Sequence, residues 1–411
     1  MLAVVFFNVS GGPYGVEDAV SVFGPGLTLL LLALTPLLVA LPVALAMAEM
    51  GGALPEEGGY VTWVRRAFGA FWGFQVGWWS WLNSFVDVAV YPALFADYLR
   101  FWRPEMSVVE RWIVALGFVW LLTALNLSGV RIPGWGAVAL AVGALAPIVA
   151  LTATAAARAH LVPWSPFTAP GQGLWSGLGL GIAVMMWNYS GWDMPSTVLG
   201  ETSRPETSYR RALWWALPLI ALANIVPVAA TLSVTGDWQR WQTGHWPVVA
   251  AAVGGPWLAH AVVAGAVTAS AGLFLSLVLT NSRLPYVLAR EGELPHWLAA
   301  TQARTGVPWA AVLVSSAGYS LFALASFKEL IILNVWLYSL TLLLELAAFV
   351  ALRLREPALA RPWRVGGGST GLWLTAALPS GAAVLAMATA GWKNTTVGIA
   401  VALTGPAVWW W

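Results

Sequence analysis

The sequence predicts an all-α membrane protein with twelve transmembrane helices, from its composition and from its long apolar stretches. Of the 411 residues, 59% are hydrophobic and only 9% are charged, whereas soluble domains carry about 25% charged residues. Uncharged stretches such as residues 27–47 are as long as the roughly 20 residues that a helix needs to cross a bilayer core. A chain with so little charge cannot cover a surface exposed to water, so these stretches are predicted to span the membrane.

The predicted spans divide the chain into a core of ten spans, residues 1–356, and two further helices, spans 11 and 12, in residues 357–411. In chain order, the twelve predicted spans cover residues 2–23, 27–48, 71–99, 112–127, 135–157, 178–199, 212–234, 257–279, 307–325, 330–352, 372–390 and 397–411. Most of the 20 Lys and Arg residues fall in the loops that lie inside if both termini are cytoplasmic. Tryptophan favours the membrane interface, so Trp409, Trp410 and Trp411 are expected to anchor the last span.

Two predicted spans contain glycine and proline at matching places. Residues 8–15 of span 1 read Asn-Val-Ser-Gly-Gly-Pro-Tyr-Gly, and residues 188–195 of span 6 read Asn-Tyr-Ser-Gly-Trp-Asp-Met-Pro. Proline removes a backbone donor and glycine weakens a helix, so we expect helix to be lost within residues 10–15 and 188–193. Breaks in the first span of each five-span half indicate inverted repeats with a binding site between them. The alternative is that glycine and proline are simply common in membrane helices.

Further segments carry a family resemblance. They include Gly-Gly-Pro-Tyr-Gly-Val-Glu-Asp at 11–18, Leu-Pro-Glu-Glu-Gly-Gly-Tyr-Val at 54–61 and Tyr-Pro-Ala-Leu-Phe-Ala-Asp-Tyr-Leu at 91–99. The chain resembles the amino acid–polyamine–organocation superfamily, nearest to permeases of the plant polyamine-uptake type. This resemblance implies the leucine-transporter-type fold, with a five-plus-five inverted repeat and broken spans 1 and 6. It also implies secondary active transport of amino acids or related amines by alternating access, leaning to a cationic substrate, with polyamine-selective uptake as the alternative.

The charged residues within the predicted spans are all acidic. They are Glu17, Asp18, Asp87, Asp97, Asp193 and Glu345, with Glu49 just beyond span 2. A buried carboxylate needs a cationic partner or a proton, so the partner could be a substrate ammonium, an inorganic cation or H⁺. We expect Asp18, Glu49 and Glu345 to make structural contacts, and Asp97 to form an interfacial ion pair with Arg100.

The candidate substrate-binding residues combine the two breaks with nearby acidic side chains. They are Ser10, Gly11, Gly12, Tyr14, Glu17, Asp87, Asn188, Ser190, Gly191, Trp192 and Asp193. Glu17 and Asp193 follow the breaks, where they could hold an amine or simply cap a half-helix. Asp87 lies within span 3, where it could bind the amine or form a structural hydrogen bond to a neighbouring span. Trp192 could cover an ammonium by cation–π contact or serve in packing.

No cofactor is predicted, although coupling to H⁺ or Na⁺ is allowed. The resemblance makes Ser270 and Ser276 the candidate Na⁺ ligands, and the absence of cysteine together with four scattered histidines gives no other metal pattern. Basic residues occur singly or in pairs, so no nucleic-acid surface is expected. The expected partners are a small amine or amino acid and the bilayer of the cell membrane. An intramembrane enzyme, which would need a nucleophile–base pair at membrane depth, and a channel remain as alternatives.

Overall fold

The computed structural model describes residues 1–129, 134–171 and 178–410, and the regular structure within these ranges is helical throughout. Trp411, one of the three expected anchors, lies outside the described residues. The α-helices in these ranges are α1 (Leu2–Val9), α2 (Glu17–Phe23), α3 (Pro25–Thr35), α4 (Leu41–Ala53), α5 (Tyr60–Phe68), α6 (Ala70–Asp87), α7 (Val90–Leu99), α8 (Val108–Leu127), α9 (Gly134–Ala156), α10 (Leu178–Trp187), α11 (Pro205–Leu232), α12 (Trp246–Gly254), α13 (Pro256–Asn281), α14 (Arg283–Arg290), α15 (Trp309–Phe322), α16 (Phe327–Arg355), α17 (Gly368–Thr389) and α18 (Trp392–Trp409).

Short segments of other helical geometry connect some of these helices. A π-helical segment, Pro36–Ala40, joins α3 to α4. Pro36 has no backbone N–H to donate, and a single wide π-helical turn lets the helix continue past it into α4. A longer 3₁₀ segment, Met194–Glu201, follows the non-helical residues after α10. The apolar segment predicted as span 6 is therefore α-helical in its first half only.

Seven helical stretches of the described chain are long and apolar enough to cross a membrane. They are Pro25–Ala53, Val108–Leu127, Gly136–Ala156, Pro205–Leu232, Pro256–Arg290, Phe327–Arg355 and Gly368–Thr389. Predicted spans 1 and 6 fall short of this length because each is interrupted. Span 3 is also divided, between α6 and α7, which the sequence analysis did not anticipate. The physical reason is Pro92, which cannot donate to the carbonyl of Val88 four residues earlier and clashes with it.

The helices that surround the interrupted segments approach one another closely. α13 packs against α1, α7 and α9, and α16 packs against α6 and α10. Gly272 of α13 faces the ring of Phe7 in α1, and an added Cβ atom there would lie 2.5 Å from that ring. Small residues of this kind let membrane helices come into contact. They hold α1 against α13 beside the first interruption.

Besides Glu49, two of the acidic residues named above are paired within the chain. Asp18 forms an ion pair with Lys328 at the start of α16, with 2.9 Å between Oδ1 and Nζ. Asp97 pairs with Arg111 of α8 at 2.8 Å, so the predicted pairing with Arg100 is wrong. Arg111 reaches Asp97 because α7 and α8 pack together, which the spacing along the chain does not reveal. Neither carboxylate needs a cation from outside the protein.

Ion pairs join the short helices α5 and α14 to neighbouring segments at one end of the helical bundle. They are Arg65–Glu293 (2.7 Å), Arg66–Glu356 (2.7 Å), Arg283–Glu201 (2.8 Å) and Arg290–Glu57 (2.8 Å). They link the segments around α5 and the 3₁₀ segment to α14 and the end of α16. Arg66–Glu356 and Arg290–Glu57 are largely exposed, and such pairs contribute up to about 1 kcal/mol each. In the other two pairs, Glu293 and Arg283 are less than a tenth exposed.

Candidate functional site

Helical structure is lost at both of the predicted breaks. α1 ends at Val9 and α2 begins at Glu17, while α10 ends at Trp187 and residues 188–193 are non-helical. The second non-helical segment is in contact with the last turn of α1. Gly191 has φ +89°, and a Cβ atom added there would lie 2.3 Å from the carbonyl oxygen of Asn8. Only glycine permits this approach, because L side chains rarely adopt positive φ and the space is already filled.

A first cavity, the apolar cavity, lies beside the break after α1. Its walls come from that break, α7, the end of α10 and α13. The lining residues are Val9, Ser10, Gly11, Gly12, Tyr14, Tyr91, Leu94, Trp187, Asn188, Ala269, Ser270 and Leu273. Five of the predicted site residues are therefore brought together: Ser10, Gly11, Gly12, Tyr14 and Asn188. The walls are mostly hydrocarbon and aromatic, which suits an aliphatic or aromatic part of a ligand.

A second cavity, the polar cavity, lies between α6, α16 and the break after α10. The lining residues are Asn8, Val9, Asn83, Asp87, Tyr91, Trp187, Ser190, Gly191, Met194, Asn334 and Tyr338. Asp87 is the charged residue in this lining, and its side chain is only partly buried. No ion pair among the described residues includes it. The polar cavity thus presents an unpaired carboxylate to whatever enters it.

Tyr91 and Trp187 line both cavities and stand between them. Their rings are stacked, with 6.1 Å between centroids and 29° between planes. Trp187 is supported from behind by Phe327, whose ring meets it edge-on at 5.3 Å. Aromatic faces attract cations as well as apolar groups. The two cavities therefore form adjoining compartments on either side of one aromatic pair.

The comparisons with known proteins identify the family of the chain. Residues 2–411 match the family model described as Amino acid permease. The chain belongs to the amino acid permease family. It is 34% identical to Polyamine transporter RMV1 of Arabidopsis thaliana, over 98% of this chain and 82% of that protein. It is also 34% identical to Polyamine transporter PUT1 of Oryza sativa subsp. japonica, over 95% and 73% of the two chains.

A more distant relative has a different printed substrate. The permease is 26% identical to Aromatic amino acid transport protein AroP of Salmonella typhimurium, over 69% of this chain and 64% of that protein. The family and its relatives are transporters and not enzymes, which confirms the resemblance that the sequence motifs indicate. The protein is a multi-pass membrane permease for amino acids or related amines.

Glu17 lies outside the lining of both cavities of the permease. It is fully buried, and its Oε1 atom accepts hydrogen bonds from the Tyr98 hydroxyl at 2.5 Å and the Gly244 backbone N–H at 3.2 Å. Its Oε2 atom accepts from the backbone N–H of Gly15 at 2.6 Å. The carboxylate thus accepts from one backbone N–H of the first break, that of Gly15, and holds the loop before α12 against this break.

Trp192 and Asp193 also lie behind the cavity walls. The Trp192 ring is fully buried, and its Nε1 atom donates to the carbonyl of Tyr189 at 2.8 Å. Asp193 is fully buried as well, and its Oδ1 atom accepts from the hydroxyl of Tyr338 at 2.7 Å. Because Tyr338 lines the polar cavity, it separates Asp193 from that cavity by one hydrogen bond.

The two candidate Na⁺ ligands do not lie in the same place. Ser270 lines the apolar cavity. Ser276 accepts a hydrogen bond from the side-chain amide of Asn8 at 2.8 Å. The same Nδ2 atom donates to the carbonyl of Val4 at 2.8 Å, and the Asn8 oxygen accepts from Thr280 at 2.9 Å. The amide of Asn8 therefore fills the gap between α1 and α13.

Glu345 contradicts its predicted role. The sequence analysis expected it to make structural contacts, yet it is 3% exposed and both carboxyl oxygens have no hydrogen-bond partner among the described residues. It lies in α16, eight residues before Arg353, whose guanidinium pairs with Glu49. No ion pair among the described residues includes Glu345.

Five polar or aromatic cavity residues besides Asn8 were missed by the sequence analysis: Asn83, Tyr91, Trp187, Asn334 and Tyr338. A helical-spacing argument could have found four of them. Residues four apart lie on one face of a helix; Asn83 is four residues before Asp87, and Tyr91 follows it by the same interval. Asn334 and Tyr338 have the same spacing on α16. Trp187 carries no such signal, since it is one of 28 tryptophans.

Proposed function

We propose that this permease transports a multiply charged amine of the polyamine type by alternating access, and that Asp87 binds an ammonium group of the substrate. The observation that carries the proposal is the unpaired, partly exposed Asp87 carboxylate in the polar cavity. The names of the two relatives with 34% identity support a polyamine substrate.

The chemistry of the polar cavity suits an ammonium group. An ammonium has several N–H donors and no acceptor. The amide oxygens of Asn83 and Asn334 can accept from the N–H groups that do not donate to Asp87. The faces of Tyr91 and Trp187 add cation–π attraction at the entrance to the apolar cavity. The apolar cavity then takes the methylene chain that joins the amines of a polyamine.

A neutral or acidic amino acid is the second candidate substrate, favoured by the relative named for aromatic amino acids. Its carboxylate would need backbone donors at a break, as at other helix N-termini. In this permease Glu17 already accepts from the backbone N–H of Gly15. Its negative charge beside the first break repels a second carboxylate, so the amine remains the better candidate.

The proposed architecture has twelve spans and a five-plus-five inverted repeat. Divided spans 1, 3 and 6 would each count as one crossing, and residues 357–411 would lie outside the repeat. In support, every lining residue of the two cavities falls between Asn8 and Tyr338. We place both termini on the cytoplasmic side of a cell membrane, because Arg65, Arg283 and Arg290 gather at the end of the bundle that would then face the cytoplasm.

Binding of spermidine to purified Asp87→Asn protein tests the proposal. The amide keeps the size of the carboxylate but loses its charge, and a hydrogen bond to a charged group contributes about 1.5–3 kcal/mol. We therefore expect the dissociation constant to rise roughly tenfold or more, with unchanged yield and melting temperature. Asp237→Asn, in an exposed loop, makes the same chemical change elsewhere and should bind spermidine like the parent.

Competition measurements then separate the two candidate substrates. Uptake of labelled spermidine into liposomes should saturate, and unlabelled putrescine should compete better than phenylalanine. Equal spermidine affinity in the parent and in Asp87→Asn would remove Asp87 as the ammonium site. Binding of phenylalanine but not of spermidine would establish the amino acid alternative instead.

A further inference from the structure

An apolar groove lies between α4 and α11, and it shares no lining residue with the apolar or the polar cavity. Its lining comes from these two helices alone. Ala44, Ala48 and Leu213 are nearly buried and form its floor, while Leu41 and Leu217 are partly exposed at its rim. The two alanines are one helical turn apart, so their small side chains leave a recess along the helix pair. Such a recess has the shape that a hydrocarbon chain can fill.

The register of the two helices places the groove next to the ion-paired end of the bundle. The end of α4 and the start of α11 lie beside the ion pairs that include Glu57 and Glu201. At this end Gly51 of α4 faces the ring of Tyr209 in α11, and an added Cβ atom would lie 2.6 Å from that ring. The lining residues of α4 then extend away from this contact over residues 41–48, about 10 Å of helix. That length fits within one leaflet of a bilayer core roughly 30 Å thick.

Unpaired arginines lie at the ion-paired end of the groove. Arg210 and Arg211 are in α11, within one turn of the groove residues Leu213 and Trp214. A third arginine, Arg204, directly precedes the helix. No ion pair among the described residues includes any of these three arginines. Their positive charges therefore remain available to a ligand in the groove.

Acidic side chains around these arginines are few. Glu206 is the one carboxylate of α11, and it is exposed. Glu201 of the 3₁₀ segment and Glu49 of α4 are already paired with Arg283 and Arg353. The helices α1, α3 and α9, which also pack against α11, contain no acidic residue. The ion-paired end of the groove thus carries a net positive charge, which complements an anion.

Two tryptophans lie at the same depth as the start of the groove. Trp214 lines the groove and is 49% exposed, and Trp215 is 70% exposed. Indole rings favour the membrane–water interface, and their N–H groups act only as hydrogen-bond donors. Arginine, tryptophan and an apolar groove therefore follow one another from the interface toward the membrane core, in the order in which a phospholipid presents its phosphate, its ester groups and its acyl chains.

We propose that an anionic phospholipid binds at this site, with its phosphate at Arg210 and Arg211 and one acyl chain in the groove. Basic pockets between membrane helices bind such headgroups. The groove has seven lining residues, far fewer than the roughly 20–30 residues a side of a stable protein interface, so a lipid fits it better than a second protein does. Beyond the rim, Leu37 and Leu38 are 60% and 44% exposed, and the rest of the acyl chain continues over this apolar surface. The inference goes beyond the proposed function and does not depend on the identity of the substrate.

The site is also connected to the second break of the permease. Tyr209 directly precedes the two arginines, and its hydroxyl donates to the backbone carbonyl of Trp192. Its ring packs on Gly51 at the start of the groove. A lipid in the groove adds contacts to both α4 and α11, so it stabilises the arrangement in which Tyr209 holds the break. Bound anionic lipid thereby favours the conformation of the binding region described above.

Native mass spectrometry of the purified permease tests lipid binding without any transport. The detergent-solubilised protein is mixed with phosphatidylglycerol and phosphatidylcholine that have the same acyl chains. We expect the parent to retain phosphatidylglycerol in preference, and Arg210→Gln/Arg211→Gln to bind it roughly 25-fold more weakly, a factor of about five for each arginine. Arg304→Gln/Arg364→Gln makes the same change of net charge at two exposed arginines and should retain the lipid like the parent.

A second variant tests the groove separately from the charge. Ala44→Leu fills the floor of the groove and leaves all arginines in place, so it should retain less phosphatidylglycerol than the parent. Glycerol 3-phosphate has the anionic group without acyl chains, and we expect it not to displace the lipid from the parent. The arginine double variant, which changes only side chains at the helix surface, still decides the proposal if Ala44→Leu does not fold.

Three results would overturn the assignment. The first is equal retention of phosphatidylglycerol by the parent and by Arg210→Gln/Arg211→Gln. The second is displacement of the lipid by glycerol 3-phosphate, which would make the arginines a site for small anions. The third is a dimer of the parent that Ala44→Leu abolishes, which would make the groove an interface between two copies of the chain.

Spermidine uptake then tests the connection to the second break. In proteoliposomes of phosphatidylcholine, added phosphatidylglycerol should raise the uptake rate of the parent more than that of Arg210→Gln/Arg211→Gln. Attraction of spermidine to the anionic membrane surface is the same for both proteins, so the difference between them reports on the site. An equal rise in both would overturn the link between lipid and transport. A parent that transports no spermidine would refute the proposed function, while the mass-spectrometric result would still decide the lipid site.

Discussion

Glu49 lies at the centre of a buried cluster of charges, and its replacement by glutamine should destabilise the fold without affecting substrate binding. The side chains of Glu49, Arg353 and Arg361 are at most 4% exposed. Arg353 donates to Oε2 of Glu49, Arg361 Nε lies 3.1 Å from Oε1, and the backbone N–H of Val365 donates to Oε2 at 2.7 Å. One carboxylate thus neutralises part of the charge of two guanidinium groups.

The size of the effect follows from what the substitution leaves behind. Glu49→Gln removes the anion and keeps both guanidinium groups in the same buried space, and breaking a buried pair in this way costs about 3–5 kcal/mol. Replacing Arg353 by methionine in the same chain removes one of the stranded cations. The double variant should therefore recover part of the lost free energy of unfolding, and the remainder reports on Arg361.

Unfolding in detergent, followed by tryptophan fluorescence, measures these changes. We expect lower yield and a lower apparent melting temperature for Glu49→Gln, while the folded fraction binds spermidine with the affinity of the parent. Glu105→Gln, which changes an exposed carboxylate, is the control and should melt like the parent. A Glu49→Gln protein as stable as the parent would refute the argument from buried charge, and weakened spermidine binding would place Glu49 in the binding path.

Two other substitutions test the break in span 6 and the loop before α5. Gly191→Ala should lower both stability and transport, since the added Cβ meets the carbonyl of Asn8 at positive φ, a backbone conformation that costs roughly 1–2 kcal/mol. Gly117→Ala, which adds a Cβ atom in open space within α8, should not lower the melting temperature, because alanine favours helix over glycine. Burial and then the charge of Glu201 raise the pKa of Glu57, so its contribution to stability is complete below the ordinary pKa and declines as pH rises through the raised value. The melting temperature of Glu57→Gln should lack this decline with pH. The same change of melting temperature in parent and variant from about pH 4 to 8 would contradict the assignment.

The site could be predicted only in part from the sequence. The non-helical segments were predictable because glycine, proline and short polar residues act locally on the backbone, so residues 10–15 and 188–193 carry their own signal. The acidic side chains were visible as well, but sequence gives no measure of which ones face a cavity. Glu17 and Asp193 flank the breaks yet lie behind the walls, whereas Asp87 faces the polar cavity.

The division of span 3 could likewise be predicted only in part from the sequence. Pro92 was visible in the sequence, and proline inside a predicted helix is a local warning. Whether the chain kinks, breaks or continues depends on the helices packed around it. In this protein α6 ends at Asp87 and α7 begins at Val90, so the break lies beside the carboxylate of the site.

By itself, the sequence determined that the chain is an α-helical membrane permease with two interrupted helices, because apolar length, scarce charge and helix-breaking residues act over short distances. Only the tertiary structure decided which buried acids already have a partner. Asp18 is neutralised by Lys328 and Asp97 by Arg111, whereas Glu345 is left without a cation among the described residues. Charge pairing depends on which helices pack together across hundreds of residues, and no local spacing encodes that choice.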